Sequence, residues 1–144
     1  MKKLFLFIIL LFVVVGAGRC DTIDSWHVFY NKKKIGDFDQ NSDERANQIV
    51  IKAESVHAKD SITILYFRDT PCDKCPTSLM IEDENHHRVL VSKGRGTFKP
   101  VSFSVRDLIE EKKRSGNASF MVFYSEELGK YGIVNTMLFR IKFE

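Results

Sequence analysis

The residues best placed to do chemistry are two cysteines, Cys72 and Cys75, separated by Asp73 and Lys74 and flanked by Pro71 and Pro76. Two thiols at this spacing can close into a disulfide, exchange with a substrate disulfide, or supply half of a tetrahedral zinc site. Zinc would need two further ligands, and His27, His57, His86 and His87 are the histidines on offer. His86 and His87 are adjacent, so on a strand they would point to opposite faces. A second cluster is the alternating series Asp37, Asp39, Asn41 and Asp43, whose oxygens would suit calcium if a loop carried them to one point. Ser42 stands where such a loop wants its turn glycine, and Gln48 where it wants a bidentate glutamate. The series therefore reads first as a polar loop with solvated side chains. Glu54, His57 and Asp60 read in the same way, as polar residues at the end of a strand.

The stretch Ile62 to Phe67 leading into Cys-x-x-Cys resembles the thioredoxin arrangement, in which the first cysteine caps a helix whose positive end stabilises a thiolate. The resemblance stops at Pro76, which biases Cys75 away from helical geometry, while Thr77 to Glu82 alternates as a strand does. A structural disulfide between Cys72 and Cys75 is the expected state, stabilising by about 2 kcal/mol because the loop it closes is short. The alternative is a thiol–disulfide oxidoreductase or redox carrier with Cys72 as nucleophile and Cys75 as resolving thiol. No serine-centred nucleophile motif, phosphate-cradling glycine loop or metalloprotease helix occurs. No cofactor is implied, and no other catalytic residue stands out. Asn117-Ala118-Ser119 fits the glycosylation acceptor pattern.

Export would supply the oxidising surroundings a disulfide needs. Met1-Lys2-Lys3, an apolar run from Leu4 to Val15, and then Gly16-Ala17-Gly18 have the order of a secretory signal, and the run is short for a membrane span. Two cuts fit. The general signal peptidase would use Val15 and Ala17 and release a chain starting at Gly18. Alternatively, Ala17-Gly18-Arg19-Cys20 resembles a bacterial lipoprotein lipobox, which implies removal of residues 1–19 and a lipid on Cys20. Arg19 departs from that pattern, where glycine or alanine is usual. With Cys72 and Cys75 paired, Cys20 is the odd thiol, which favours a lipid or a second chain.

The 144 residues are 44% hydrophobic and 28% charged, a globular composition. Residues 20–144 make one domain of ordinary size. The formal charge is +3, but without Lys2 and Lys3 the 22 basic residues become 20 against 19 acidic ones. A chain so nearly neutral carries no nucleic-acid footprint. Lys32-Lys33-Lys34 reads as a polar turn, and Lys112-Lys113-Arg114 as the cationic end of a helix.

Positioning these residues falls mostly to strands, because apolar and polar residues alternate along much of the chain. The alternation predicts strands at Trp26 to Tyr30, Gln48 to Ala53, Ile62 to Phe67, Thr77 to Glu82, Arg88 to Ser92, Val101 to Ser104, Ser119 to Tyr124 and Thr136 to Phe143. In the last, Met137, Phe139, Ile141 and Phe143 should share one face, with Leu138, Arg140 and Lys142 on the other. Asp83 to His87 reads as a hairpin tip, and Asp37 to Asn47 as a long loop. One helix is predicted from Val105 to Ser115, capped by Ser104 and ended by Gly116. Its stripe of Val105, Leu108 and Ile109 must dock on the sheet.

The expected fold is mainly β: an antiparallel β-sandwich, or flattened barrel, of about eight strands with one short helix. The expected function is non-enzymatic: an exported protein of a bacterial periplasm or cell envelope, or a secreted one. It would bind a protein or envelope partner, attached to the membrane through Cys20 if that residue carries lipid.

Overall fold

The computed structural model describes residues 23–43 and 46–144. The expected leader and cut sites, with Cys20, lie outside them. Among the described residues nine strands form in the order β1 (Ser25–Tyr30), β2 (Lys33–Asp39), β3 (Gln48–Ile51), β4 (Ser61–Phe67), β5 (Pro76–Asp83), β6 (Arg88–Arg95), β7 (Val101–Ser104), β8 (Ser119–Glu127) and β9 (Ile133–Phe143), with helix α1 (Val105–Ser115) between β7 and β8. One sheet runs β2-β1-β4-β7 and the other β3-β9-β8-β5-β6. No ladder among the described residues joins the two into a barrel, so the architecture is a β-sandwich.

The alternation seen in the sequence is what builds the layers. In β4, Ile62, Ile64 and Tyr66 are buried while the residues between them are less so, and Leu79 and Ile81 of β5 do the same from the opposite sheet. With Val122, Phe139 and Ile141 they form a single core cluster between the sheets. Each such side chain contributes ~1.5–3 kcal/mol through its removal from water. Helix α1 forms as its caps predict. Ser104 accepts a hydrogen bond from the Asp107 amide, Gly116 takes the left-handed conformation at φ 80°, and Val105, Leu108 and Ile109 enter the core.

Three features differ from the sequence expectation. The Lys32-Lys33-Lys34 turn and the start of the Asp37 to Asn47 loop are largely strand: Asn31 and Lys32, both at positive φ, make the turn, and β2 follows. β2 is an edge strand with little burial, so no apolar alternation marks it. Secondly, β3 pairs with β9 in parallel, Gln48 opposite Arg140 and Ile51 opposite Phe143, so the sandwich is not antiparallel throughout. Thirdly, a bulge opposite Val122 and Phe123 breaks the register of β9. It turns Leu138 into the interior, where it is 1% exposed, and moves Met137 opposite the outward Phe123.

Candidate functional site

Cys72 and Cys75 lie in the turn between β4 and β5, with their sulfurs bonded at 1.95 Å and their Cα atoms 5.5 Å apart. The turn is held from beneath by the β6–β7 connection. The Cys72 amide donates to the Thr97 hydroxyl (2.8 Å), the Thr97 amide donates to the Cys72 carbonyl (3.0 Å), and the Gly96 amide donates to the Cys75 carbonyl (2.8 Å). Arg95 adds a guanidinium hydrogen bond to the Lys74 carbonyl at 3.2 Å. Gly96 is required here. Its φ is +86°, and a Cβ on it would sit 2.6 Å from the Asp73 carbonyl oxygen.

Below Thr97 lies a charge that the sequence reading missed. Glu126 is fully buried; one carboxylate oxygen accepts from the Thr97 hydroxyl at 2.5 Å and the other from the Arg68 guanidinium at 2.7 Å. Burial opposes the charge on Arg68, but the hydrogen bond and charge of Glu126, with Asp24 and Tyr66 nearby, outweigh it and hold the guanidinium more firmly protonated than usual. An aromatic stack leads inward from there, with ring centroids 4.2 Å apart for Tyr66 and Tyr124 and 6.1 Å for Trp26 and Tyr66. The Tyr66 hydroxyl donates to Asp24 at 2.5 Å. Burial, then the bond to Asp24, pushes Tyr66 well above the ordinary tyrosine value; burial, then the charge of Glu126, does the same to Tyr124.

Chemically this cluster is a clamp. Its carboxylate is paired and out of solvent's reach, so it is poorly placed for acid–base work on a diffusing substrate. A sequence signal for it did exist. Phe120, Val122 and Tyr124 face the core, and continuing β8 by one more period puts Glu126 on that same face.

The other candidates are dispersed. Asp37 meets Lys34 Nζ at 2.6 Å and His27 Nε2 at 3.2 Å, and the Lys34 hydrogen bond lowers its pKa against the opposing effect of burial, helped by the charges of His27 and Lys34. Asp39 accepts from the Asn41 amide (2.9 Å) and the Ser42 hydroxyl (3.1 Å), a local turn, while the Asp43 carbonyl accepts from the Ala46 and Asn47 amides. Among the described residues no three histidine, cysteine, aspartate or glutamate side chains group to hold a metal. Glu54 is exposed on a short 3-10 turn. Buried Asp60 accepts from the His57 amide (2.8 Å), the Tyr30 hydroxyl (2.5 Å) and the Asn31 side-chain amide (2.8 Å), and these bonds, in that order, hold its pKa at about 2. His86 and His87 each lie 3.5 Å from a carboxylate of their own hairpin, Glu82 and Asp83. The Asn117 side-chain amide donates to Asp83.

No helix among the described residues is long and apolar enough to cross a membrane. No protein-family model, curated protein or solved structure matches the chain.

Proposed function

We propose that this is a non-enzymatic binding protein of an exported compartment, a bacterial periplasm or cell envelope, tethered through lipid on Cys20 or released by the cut before Gly18. One observation carries the non-enzymatic part. The Cys72–Cys75 turn is hydrogen-bonded through its backbone to Gly96 and Thr97, and Thr97 in turn to a buried ion pair. A redox cysteine needs a thiolate stabilised by a helix N-terminus or a neighbouring cation, and a turn free to open. Here β5 begins at Pro76, directly after Cys75, so no helix dipole reaches the sulfurs, and the cation at the turn, Arg95, directs its guanidinium to the Lys74 carbonyl. The pair suits a permanent fastener, and a permanent fastener suits an oxidising compartment. The leader-like residues 1–19 support export independently, and loops and faces of a rigid sandwich are natural recognition surfaces.

Intact mass on protein from its native host, before and after reduction and alkylation, tests this reading. The expected result is a chain beginning at an acylated Cys20 or at Gly18, with Cys72 and Cys75 resistant to alkylation until unfolded. Ready alkylation of the folded protein, with turnover of a small disulfide substrate, would replace the binding reading with the redox one. A chain retaining residues 1–19 would remove export.

A further inference from the structure

Seven large apolar side chains stand exposed among the described residues, and four of them, Ile23, Phe98, Tyr131 and Ile133, gather at one end of the sandwich. That end is the one closed by the Cys72–Cys75 turn. Phe98 belongs to it because its amide donates to the Tyr66 carbonyl at 3.2 Å, beside the bonds of Gly96 and Thr97 to the cysteine turn. Ile23 precedes Asp24, which accepts from the Tyr66 hydroxyl. Ile133 opens β9 opposite Glu127, just after the 3-10 turn Gly129–Tyr131, and Glu126 beside it lies opposite Thr77 at the start of β5. The other three, Ile35, Val50 and Val91, stand apart on three different edge strands.

Phe98 is held outward at a cost. It adopts φ 61°, a region that bulky residues rarely occupy, and is still 40% exposed. Its ring lies 5.6 Å from that of Phe67, which points outward from β4. Tyr131 is 78% exposed, with Lys130 Nζ 5.1 Å from its ring centroid. An aromatic body beside a long cationic side chain suits the headgroup level of a bilayer. Charge adds no attraction. Beyond the Arg68–Glu126 pair, the acidic residues at or near this end, Asp24, Asp39, Asp43, Asp69, Asp73 and Glu127, outnumber the basic ones, Lys74, Arg95, Lys99 and Lys130.

The tether joins the molecule at this same end. Cys20 precedes Ser25 by five residues, which span at most about 18 Å, and Ser25 pairs with Phe67. The 11 residues of β9 alone run ~35 Å along the sandwich. A lipid on Cys20 therefore holds the Ser25 end beside the bilayer, and the far end, with the Asp83 to His87 tip, cannot face the lipid in its place. We propose that this end is a membrane-apposed surface, with Ile23, Phe98, Tyr131 and Ile133 entering the headgroup region of the phospholipid bilayer that holds Cys20. The contact is apolar and does not depend on anionic headgroups. The inference rests on the tethered form of the reading above and specifies which end of the sandwich meets the membrane.

Quenching of tryptophan fluorescence by brominated acyl chains tests it, on the acylated protein from its host placed in phosphatidylcholine vesicles. Trp26 is 2% exposed and supplies a constant background. Phe98→Trp and Tyr131→Trp should each lose emission to the brominated lipid. Val50→Trp, at 48% exposure and near the opposite end, should keep its emission. Tyr131→Trp, at so exposed a site, carries the test even if Phe98→Trp does not fold at its positive φ. Ile133→Glu should reduce the quenching of Tyr131→Trp with no change in melting temperature, and adding phosphatidylglycerol should leave the pattern as it was. No quenching at Phe98→Trp and Tyr131→Trp, equal quenching at all three positions, or quenching that requires phosphatidylglycerol would each overturn the proposal. Intact mass of the same preparation separates the two levels. An unacylated Cys20 overturns the tether and this orientation together, whereas an acylated protein quenched only at Val50→Trp overturns the orientation and leaves the tether standing.

Discussion

Of the buried carboxylates, Asp60 and Glu126 lie at opposite ends of the sandwich and are satisfied in opposite ways. Asp60, just before β4, takes its hydrogen bonds from neutral donors, an amide from its own turn, a tyrosine hydroxyl and an asparagine amide from the β1–β2 turn, while the exposed His57 imidazole stands 3.6 Å away and adds a minor charge contribution. Glu126, near the end of β8, has one neutral donor and one cation, Arg68, just past the other end of β4. Neutral donors spread a carboxylate's charge without a second ion to desolvate. An ion pair strengthens the contact but makes each partner a liability when the other is lost. The Asp60 end is therefore built to tolerate substitution of its donors one at a time, and the Glu126 end is not.

The sharpest way to break the contrast is Arg68→Met, which strands the Glu126 charge and should cost ~3–5 kcal/mol in denaturant unfolding. Adding Glu126→Leu should recover most of that loss, and a double variant no more stable than the single would show that the pair does not act as a unit. Gly96→Ala comes next. Its positive φ alone costs ~1–3 kcal/mol, and the added methyl group also meets the Asp73 carbonyl, so the turn over Cys72 should loosen and the disulfide become easier to reduce. Cys72→Ser with Cys75→Ser should cost about 2 kcal/mol, the loop-closure entropy, and leave the sandwich folded with the same circular dichroism. The smallest effect is at the opposite end and reads as pH dependence. With a folded pKa of about 2 against an ordinary 3.8, Asp60 contributes stability that is fully present above about pH 4 and lost as the pH falls toward 2. Melting temperature should fall across that window, and Asp60→Asn should flatten the fall. At high pH the sign reverses. Tyr30, Tyr66 and Tyr124 are all raised above 10, so both ends lose stability as pH climbs past 10, measured by melting with absorbance at 295 nm as the ionisation signal.

Legibility in the sequence follows the same divide between near and far partners. Helix α1 was readable to the residue because its start, stripe and stop are set by neighbours: Ser104 with Asp107, Val105 with Leu108 and Ile109, and Gly116 after Ser115. The Asp83 to His87 tip was readable because Asp83 accepts from the amides of Asn85 and His87 within its own turn. The Cys72–Cys75 bond belongs to the same class. Glu126 is not legible in the sequence by alternation alone, since the apolar alternation of β8 stops at Tyr124 and the cation that makes an interior carboxylate tolerable lies 58 residues away. The β9 bulge escaped for a related reason. Alternation assumes an unbroken register, and the extra residue is visible only against β8. The neighbourhood of Met80, Val91, Phe123 and Met137 on the outer face of the five-stranded sheet is not legible either, because pairing alone brings them side by side.

The parallel pairing of β3 with β9 has a consequence in time. Gln48 to Ile51 can join their sheet only after Arg140 to Phe143 have left the ribosome, and β9 then sits between β3 and β8. A sheet closed by so distant a contact folds slowly and late. Until β9 is in place, the five-stranded sheet lacks its β3 edge, and Ile49 and Ile51 lack the layer in which they are buried.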